Sequence, residues 1–450
     1  MSTRGGVKSL SDRAGFLILA NMIKFAIGIV MPMILVRMLT PADYGTYQQI
    51  TLIGTAATSL LVLGLPTSVF YFYRHVPREQ VPALVMQTSI MLFISGAIGS
   101  AIIYFGAAPF AHVMNNPGMT GLLTLGAASV GLVIASEHSI SFLIAQDRYQ
   151  LAVAFEVGEA IVRVILLLTP LWLGYGLLGL VIAGIGYSLL RFLVRQIFLL
   201  TRSGLNYSHW TRQSFVAEQL KYSAPVAAIS LVGMLGNTFN RGIVAANVTP
   251  AMYAVFAVGN VVFPFATIFQ SSVANVLRAE LPPLARDGKL VELVKIVRES
   301  VRKLSIIMLP PFVFLLAHSY QFITVLFTHT YAESVGVFRV AVWELPLDTL
   351  ILSAIPQVFG KTRVNMYINF AATTVLLISS YTLIKLFGFY GAVMAGVGTQ
   401  YFSSTVFLIV VLRLTKSTLP RMLPLAGLGK VMLSAIVASL VSRLVGEVTS

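Results

Sequence analysis

The sequence predicts an all-α integral membrane protein with about twelve transmembrane helices, arranged as two six-helix lobes related by a parallel repeat. Three observations carry this prediction. Hydrophobic residues make up 57% of the 450-residue chain and charged residues only 10%, against about a quarter charged in an ordinary soluble protein. Apolar runs of about 20 residues recur throughout, each long enough as a helix to cross a hydrocarbon core of roughly 30 Å. Short phrases also return about 210 residues later in the same order.

The composition sets the solvent. With a mean hydropathy of +0.86, the chain carries more apolar surface than a soluble core can hide, so most of it must face lipid. Glycine (35) and proline (19) are frequent, and transmembrane helices tolerate both. The net charge of +15 does not indicate nucleic acid, because the basic residues lie between hydrophobic spans and not in one domain. The absence of cysteine excludes disulfides, thiolate metal sites and cysteine nucleophiles. Residues 1–13 are polar and basic, but the apolar run after them is too long for a signal h-region. It reads as the first span, beginning near Ala14.

The expected spans are about 14–38, 45–71, 83–106, 119–144, 151–173 and 176–200. After them come 222–247, 252–277, 304–328, 334–359, 364–387 and 390–413. A thirteenth stretch, about 423–445, contains Arg443 and either spans or lies on the surface. The domains follow as an N-lobe (1–200), a basic linker (201–221), a C-lobe (222–414) and a tail (415–450). Lys and Arg, including Arg148, Arg195, Arg202, Arg298 and Lys361, fall on the N-terminal side and in the even loops. The odd loops hold little beyond Arg37 and Lys385. The positive-inside rule then puts the N-terminus in the cytoplasm.

The repeat rests on three matches. "LTPADYG" (39–45) returns as "VTPAMYA" (248–254), 209 residues on from Thr40 to Thr249. "GLVIAGIG" (179–186) returns as "GAVMAGVG" (391–398), and Arg148 and Phe155 match Arg363 and Phe370. Six helices per half is an even number, so both halves enter the membrane in the same sense. In the first phrase Pro41 suits the first turn of a helix, where its missing N–H is no loss, and Thr40 suits the cap before it.

Ionisable groups inside spans cost roughly 2.5–3.5 kcal/mol each on insertion scales, and they face cavities or partners. Lys24 lies about 24 Å of helical rise before Thr40, and Arg241 about 12 Å before Thr249. Amides accompany both: Asn21 with Lys24, and Asn237 and Asn240 with Arg241. Arg163, Arg191 and Arg339 complete a candidate cationic, anion-binding set. Arg191 and Arg339 lie near helix ends and could instead snorkel. Arg163 could instead pair with Glu159 at i, i+4, with Glu156 on the same stripe. Glu137, Glu344 and Asp348 are candidates for H⁺ or Na⁺ coupling or for counter-ions; the last two are spaced i, i+4 in the tenth span. Residues 288–304 show helical apolar spacing between basic residues, which predicts either a surface amphipathic helix or an extension of the ninth span. No HExxH, nucleophile elbow or phosphate-binding GxxxxGK[ST] loop occurs. No enzyme, metal site or cofactor is expected.

The segment "ILVRMLTPADYGTYQQI" (34–50) resembles the corresponding region of Wzx-type lipid-linked oligosaccharide flippases. These are bacterial polysaccharide transporters of the multidrug, oligosaccharidyl-lipid and polysaccharide flippase superfamily. The resemblance extends over the chain in span number, orientation and paired lobes, with Arg37 to Gly45 as its marked motif. It implies a V-shaped carrier in the bacterial cytoplasmic membrane that moves undecaprenyl-diphosphate-linked repeat units to the periplasmic leaflet by alternating access. The implied partners are the lipid-linked glycan, membrane lipids, a polysaccharide polymerase and a chain-length regulator, with no nucleic acid. Related lipid II flippases use cavity cations on helices 1 and 7, which here carry Lys24 and Arg241. Those relatives usually have fourteen spans, with a lipid groove formed by the last two. Drug-exporting relatives often carry an acid in helix 1, where this chain has Lys24.

Overall fold

The computed structural model describes residue 23 and residues 26–201, 214–261 and 264–449. All regular structure among them is helical. The helices are α1 (Ala26–Met38), α2 (Pro41–Leu61), α3 (Leu65–His75), α4 (Val81–Val113), α5 (Met119–Ser136) and α6 (His138–Ala145). Next come α7 (Tyr149–Trp172), α8 (Gly176–Thr201), α9 (Val216–Asn247), α10 (Pro250–Gly259), α11 (Pro264–Arg286), α12 (Leu290–Ala317) and α13 (Ser319–Phe327). The chain ends with α14 (Ser334–Ala341), α15 (Ile355–Val358), α16 (Thr362–Phe387), α17 (Phe389–Thr415), α18 (Leu419–Met422) and α19 (Leu425–Thr449). Eight helical stretches among the described residues are long and apolar enough to cross a membrane, with α2 and α3 counted together and α5 and α6 counted together. One of them is the Leu425–Arg443 part of α19, the thirteenth stretch of the sequence reading. The protein is a multi-pass membrane protein.

Several expected spans are interrupted, each for a local reason. The run 45–71 breaks between α2 and α3, where Leu63 (φ 51°) and Gly64 (φ 66°) turn left-handed and Pro66 follows. The run 252–277 breaks after Gly259, and α11 resumes at Pro264 and continues to Arg286. The tenth span, 334–359, is not one helix. After α14 it breaks into the short 3₁₀ turns Val342–Glu344, Leu347–Thr349 and Leu352–Ala354 before α15. Pro346 and Pro356 explain this, because each removes an amide donor and crowds the carbonyl four residues back. The Val342 carbonyl, four residues before Pro346, accepts instead from the Leu345 amide at 3.0 Å, and the neighbouring Trp343 carbonyl accepts from the Tyr401 hydroxyl at 3.2 Å. Irregular backbone at membrane depth requires such replacement partners.

Two compact units emerge: residues 1–234 with 249–251, and residues 235–248 with 252–450. In the first, Thr40 caps α2: its Oγ1 accepts from the Asp43 amide at 3.1 Å and donates to the Asp43 carboxylate at 2.7 Å. Gly45 lies directly against the Pro250 backbone, so that a Cβ there would collide with the Pro250 carbonyl oxygen. Just inside, Asn116 donates to Thr46 (2.9 Å) and Gln49 (2.7 Å), and Gln49 donates to the Met114 carbonyl. This buried network ties α2 to the turn between α4 and α5.

In the second unit, α12 settles the two readings of residues 288–304. It is one unbroken helix from Leu290 to Ala317, an extension of the ninth span. Leu293, Val297, Val301 and Leu304 are fully buried, and α18 and α19 pack on α12.

Candidate functional site

Three sequence stripes converge in the first unit. On α8, Tyr187, Arg191 and Arg195 recur every fourth residue; on α7, Glu156, Glu159 and Arg163 recur at three and four. Both spacings put side chains on one helix face. The third contributor is the junction of α5 and α6, where Glu137 interrupts the helix.

Arg195 organises the cluster. Its Nε and Nη2 donate to the two carboxylate oxygens of Glu159, both at 2.7 Å, and its Nη1 donates to the Ser136 carbonyl at 2.8 Å. This is the planar, bidentate geometry that arginine makes best with a carboxylate. Gln196 donates to the Ala135 carbonyl at 3.3 Å. α8 therefore donates to two successive carbonyls, Ala135 and Ser136, just before Glu137, whose backbone stays helical (φ −65°, ψ −29°). Arg191 pairs with Glu137 at 2.7 Å and lies 3.6 Å from Glu159. Beside them, fully buried His138 places its Nε2 2.7 Å from the Ser89 hydroxyl on α4.

These pairings decide the position of Arg163. The i, i+4 partner open to it in the sequence, Glu159, is taken by Arg195 and Arg191. Among the described residues Arg163 forms no ion pair, and its guanidinium lies over the Tyr187 ring, 5.9 Å from the centroid. Arg163 lines two cavities. One, of about 350 Å³, is bounded by α2, α5, α7 and α8 and includes Thr51, Thr55, Ser129 and Tyr187. The other, of about 300 Å³, is bounded by Ile27 and Gly28 of α1, Glu156, Glu159, Tyr187, Arg191 and Arg195. The unit thus contains space of water-accommodating size walled by Arg163, Arg191 and Arg195, by Tyr187 and several hydroxyls, and in the second cavity by Glu156 and Glu159. Such a site can hold an anionic headgroup. Arg offers phosphate a planar fork of donors.

The other predicted residues are dispersed. Lys24 and Asn21 lie outside the described residues, as does the side chain of Asn237. Arg241 is exposed near the end of α9. Asn240 is buried, donating to the Ala392 carbonyl at 3.2 Å and accepting from Ser380 at 2.8 Å. Its amide holds α9 against α16 and α17. Arg339 is exposed and donates to Ser319 at 2.7 Å. Glu344 and Asp348 sit in separate 3₁₀ turns and not on one helical face, which corrects their i, i+4 reading; Asp348 accepts from Gln270 on α11 at 3.4 Å. Arg195 was expected in a loop. It is instead buried inside α8, which runs on to Thr201. Its role, like that of Tyr187, escaped the sequence reading, although the 187, 191, 195 stripe was its visible signal.

The geometry defines a class: a helical, multi-pass membrane protein with a polar, arginine-bearing interior in its first unit. Solved structures agree. The lipid II flippase MurJ in its inward closed conformation superposes with a TM-score of 0.68 at 14% identity, covering 96% of this chain and 92% of that one. An inward-facing multidrug resistance MATE family transporter of the MOP superfamily matches with a TM-score of 0.68 at 14% identity, covering 88% and 99%. A MOP superfamily transporter from Pyrococcus furiosus, described as having a binding pocket of reverse polarity, matches at 0.61 and 14%, covering 90% and 96%. No curated protein sequence matches the chain. A family model does: residues 34–336 match the polysaccharide biosynthesis protein family. The chain belongs to that family and has the MOP-superfamily transporter fold.

Proposed function

We propose that this protein is a flippase for polyprenyl-diphosphate-linked oligosaccharide repeat units. It carries them from the inner to the outer leaflet of the bacterial cytoplasmic membrane by alternating access, for exopolysaccharide or O-antigen synthesis. The observation that carries this reading is Arg163. Relieved of Glu159 by Arg195, it presents its guanidinium to two cavities beside Tyr187. The larger cavity is lined by Arg163 and Arg191 and by no carboxylate, so a diphosphate supplies the anion there, and the family supplies the polysaccharide context. Lys24 and Arg241 are proposed to act on the same headgroup. A polysaccharide polymerase and a chain-length regulator are the proposed partners downstream.

The test is transport of a fluorescent prenyl-diphosphate glycan in proteoliposomes. Arg163→Ala, Lys24→Ala and Arg241→Ala should each slow flipping about tenfold or more, the loss of one charge-assisted contact worth about 1.5–3 kcal/mol. Wild-type rates in all three would overturn the assignment.

A second reading is an ion-coupled antiporter for small molecules. The irregular stretch carrying Glu344 and Asp348, with Gln270 against Asp348, favours it, because broken helices often form the ion sites of transporters. Export of organic cations without flipping would favour that reading. A lipid II substrate is the third reading, and it is read out in the same liposomes.

A further inference from the structure

We infer that the open groove between α7 and α8 holds the head-proximal part of the substrate's prenyl chain. The inference rests on the proposed flippase reading and names the tail site that this reading requires. The groove encloses about 190 Å³ and is walled by Ala154, Phe155, Gly158 and Val162 from α7 and by Leu190 and Val194 from α8. Two features set it apart from an ordinary lipid-facing crevice.

The first is continuity with the charged site. Glu159, Tyr187 and Arg191 line both this groove and the polar cavity that holds Arg163. The two spaces adjoin across these three residues, so a molecule with an anionic end and an aliphatic end can place its charge among the arginines and its first carbons in the groove. Two of the carboxylates there are held by arginines: Arg195 and Arg191 hold Glu159, and Arg191 holds Glu137, while Glu156 lines the polar cavity as well.

The second is the shape of the groove. Gly158 lines it, and a Cβ there would meet no atom within 4 Å, so a larger side chain at this position has room to project. The exposed faces of Leu190 and Val194 stand opposite. One end is closed by Phe155, which packs edge-to-face on Phe198 at 5.1 Å, with Arg148 over the Phe198 ring at 5.3 Å. From Ala154 to Val162 the groove runs about 12 Å along α7. That length takes only the first part of a long polyprenyl chain, and the remainder stays in the bilayer.

The experiment measures binding to the full-length protein in nanodiscs with two probes sharing one headgroup, undecaprenyl diphosphate and dimethylallyl diphosphate. Gly158→Leu and Ala154→Phe fill the groove from exposed positions on α7 and leave the arginines in place. Both should weaken undecaprenyl diphosphate about tenfold or more, equivalent to losing a few buried methylenes. Both should leave dimethylallyl diphosphate within about twofold of wild type. A tail-borne diazirine on the long probe should label residues 149–172 and 176–201. Wild-type affinity for the long probe in both variants, or labelling elsewhere, overturns the groove. A wild-type protein that binds the short probe but gains nothing from the long tail overturns the groove alone. One that binds neither probe overturns the flippase reading as well.

Discussion

At the scale of single residues, the first unit separates cavity-lining arginines that are paired with carboxylates, Arg191 and Arg195, from Arg163, which forms no ion pair among the described residues. Arg195 is buried, bidentate to Glu159 and bonded to the Ser136 carbonyl. Removing one partner of such a pair strands a buried charge and costs about 3–5 kcal/mol. Arg195→Ala should therefore lower the melting temperature in detergent markedly. The double change Arg195→Leu with Glu159→Leu should recover most of the loss, because both charges leave together. Arg163→Ala should leave melting nearly unchanged while slowing transport, since its contact is a tyrosine face and not a carboxylate. If Arg163→Ala melted as low as Arg195→Ala, the division of roles would be wrong. The spacing of Glu159 and Arg163 was legible in the sequence, and so was their pairing as one alternative. What one chain segment cannot show is competition from a neighbouring helix. Arg195 brings its planar fork 36 residues later in sequence and outcompetes the intrahelical neighbour.

At the scale of elements, long apolar runs were legible and their breaks were not. Hydropathy sums over a window, so Gly64, Pro66, Pro264 and Pro346 vanish into otherwise apolar stretches, although each is a visible breaker. The α2–α3 break tests this directly. Gly64 sits at φ 66°, a region that costs other residues about 1–2 kcal/mol. Gly64→Ala should destabilise the first unit by about that amount, read as a lower melting temperature. An unchanged melting temperature would mean that the turn relaxes freely. The break at Glu137 is of another kind. No glycine or proline marks it, its backbone stays helical, and the Ser136 and Ala135 carbonyls beside it accept from Arg195 and Gln196 of α8, some 60 residues away. Such a break is written in tertiary contacts and could not be read locally.

At the scale of the whole molecule, the repeat in the sequence has a local structural counterpart at each of its two occurrences. Pro41 and Pro250 both open a helix, and Tyr44 and Tyr253 are both buried. Gly179 packs against Pro170 and Tyr175 at the α7–α8 hairpin, and Gly391 packs against Leu383 at the α16–α17 hairpin. The echoes therefore mark turns and close approaches, where residue identity is constrained most tightly. Orientation is a separate question that packing does not answer, and the chain is well suited to a direct test because it has no native cysteine. Single cysteines can be placed without first clearing a background. The positive-inside asymmetry predicts that the turn after α4 and the segment after α13 face the periplasm, and that the turns after α3 and α11 face the cytoplasm. Pro117 and Thr330 are exposed at the first pair of sites, and Glu79 and Asp287 at the second. In intact cells a membrane-impermeant maleimide should label Pro117→Cys and Thr330→Cys, while Glu79→Cys and Asp287→Cys react only after permeabilisation. The reverse pattern would invert the protein, move the α7–α8 groove to the outer leaflet and remove it from the route of a substrate loaded from the cytoplasm. A mixed pattern within one pair would instead break the equal-sense insertion of the two halves on which the parallel repeat depends.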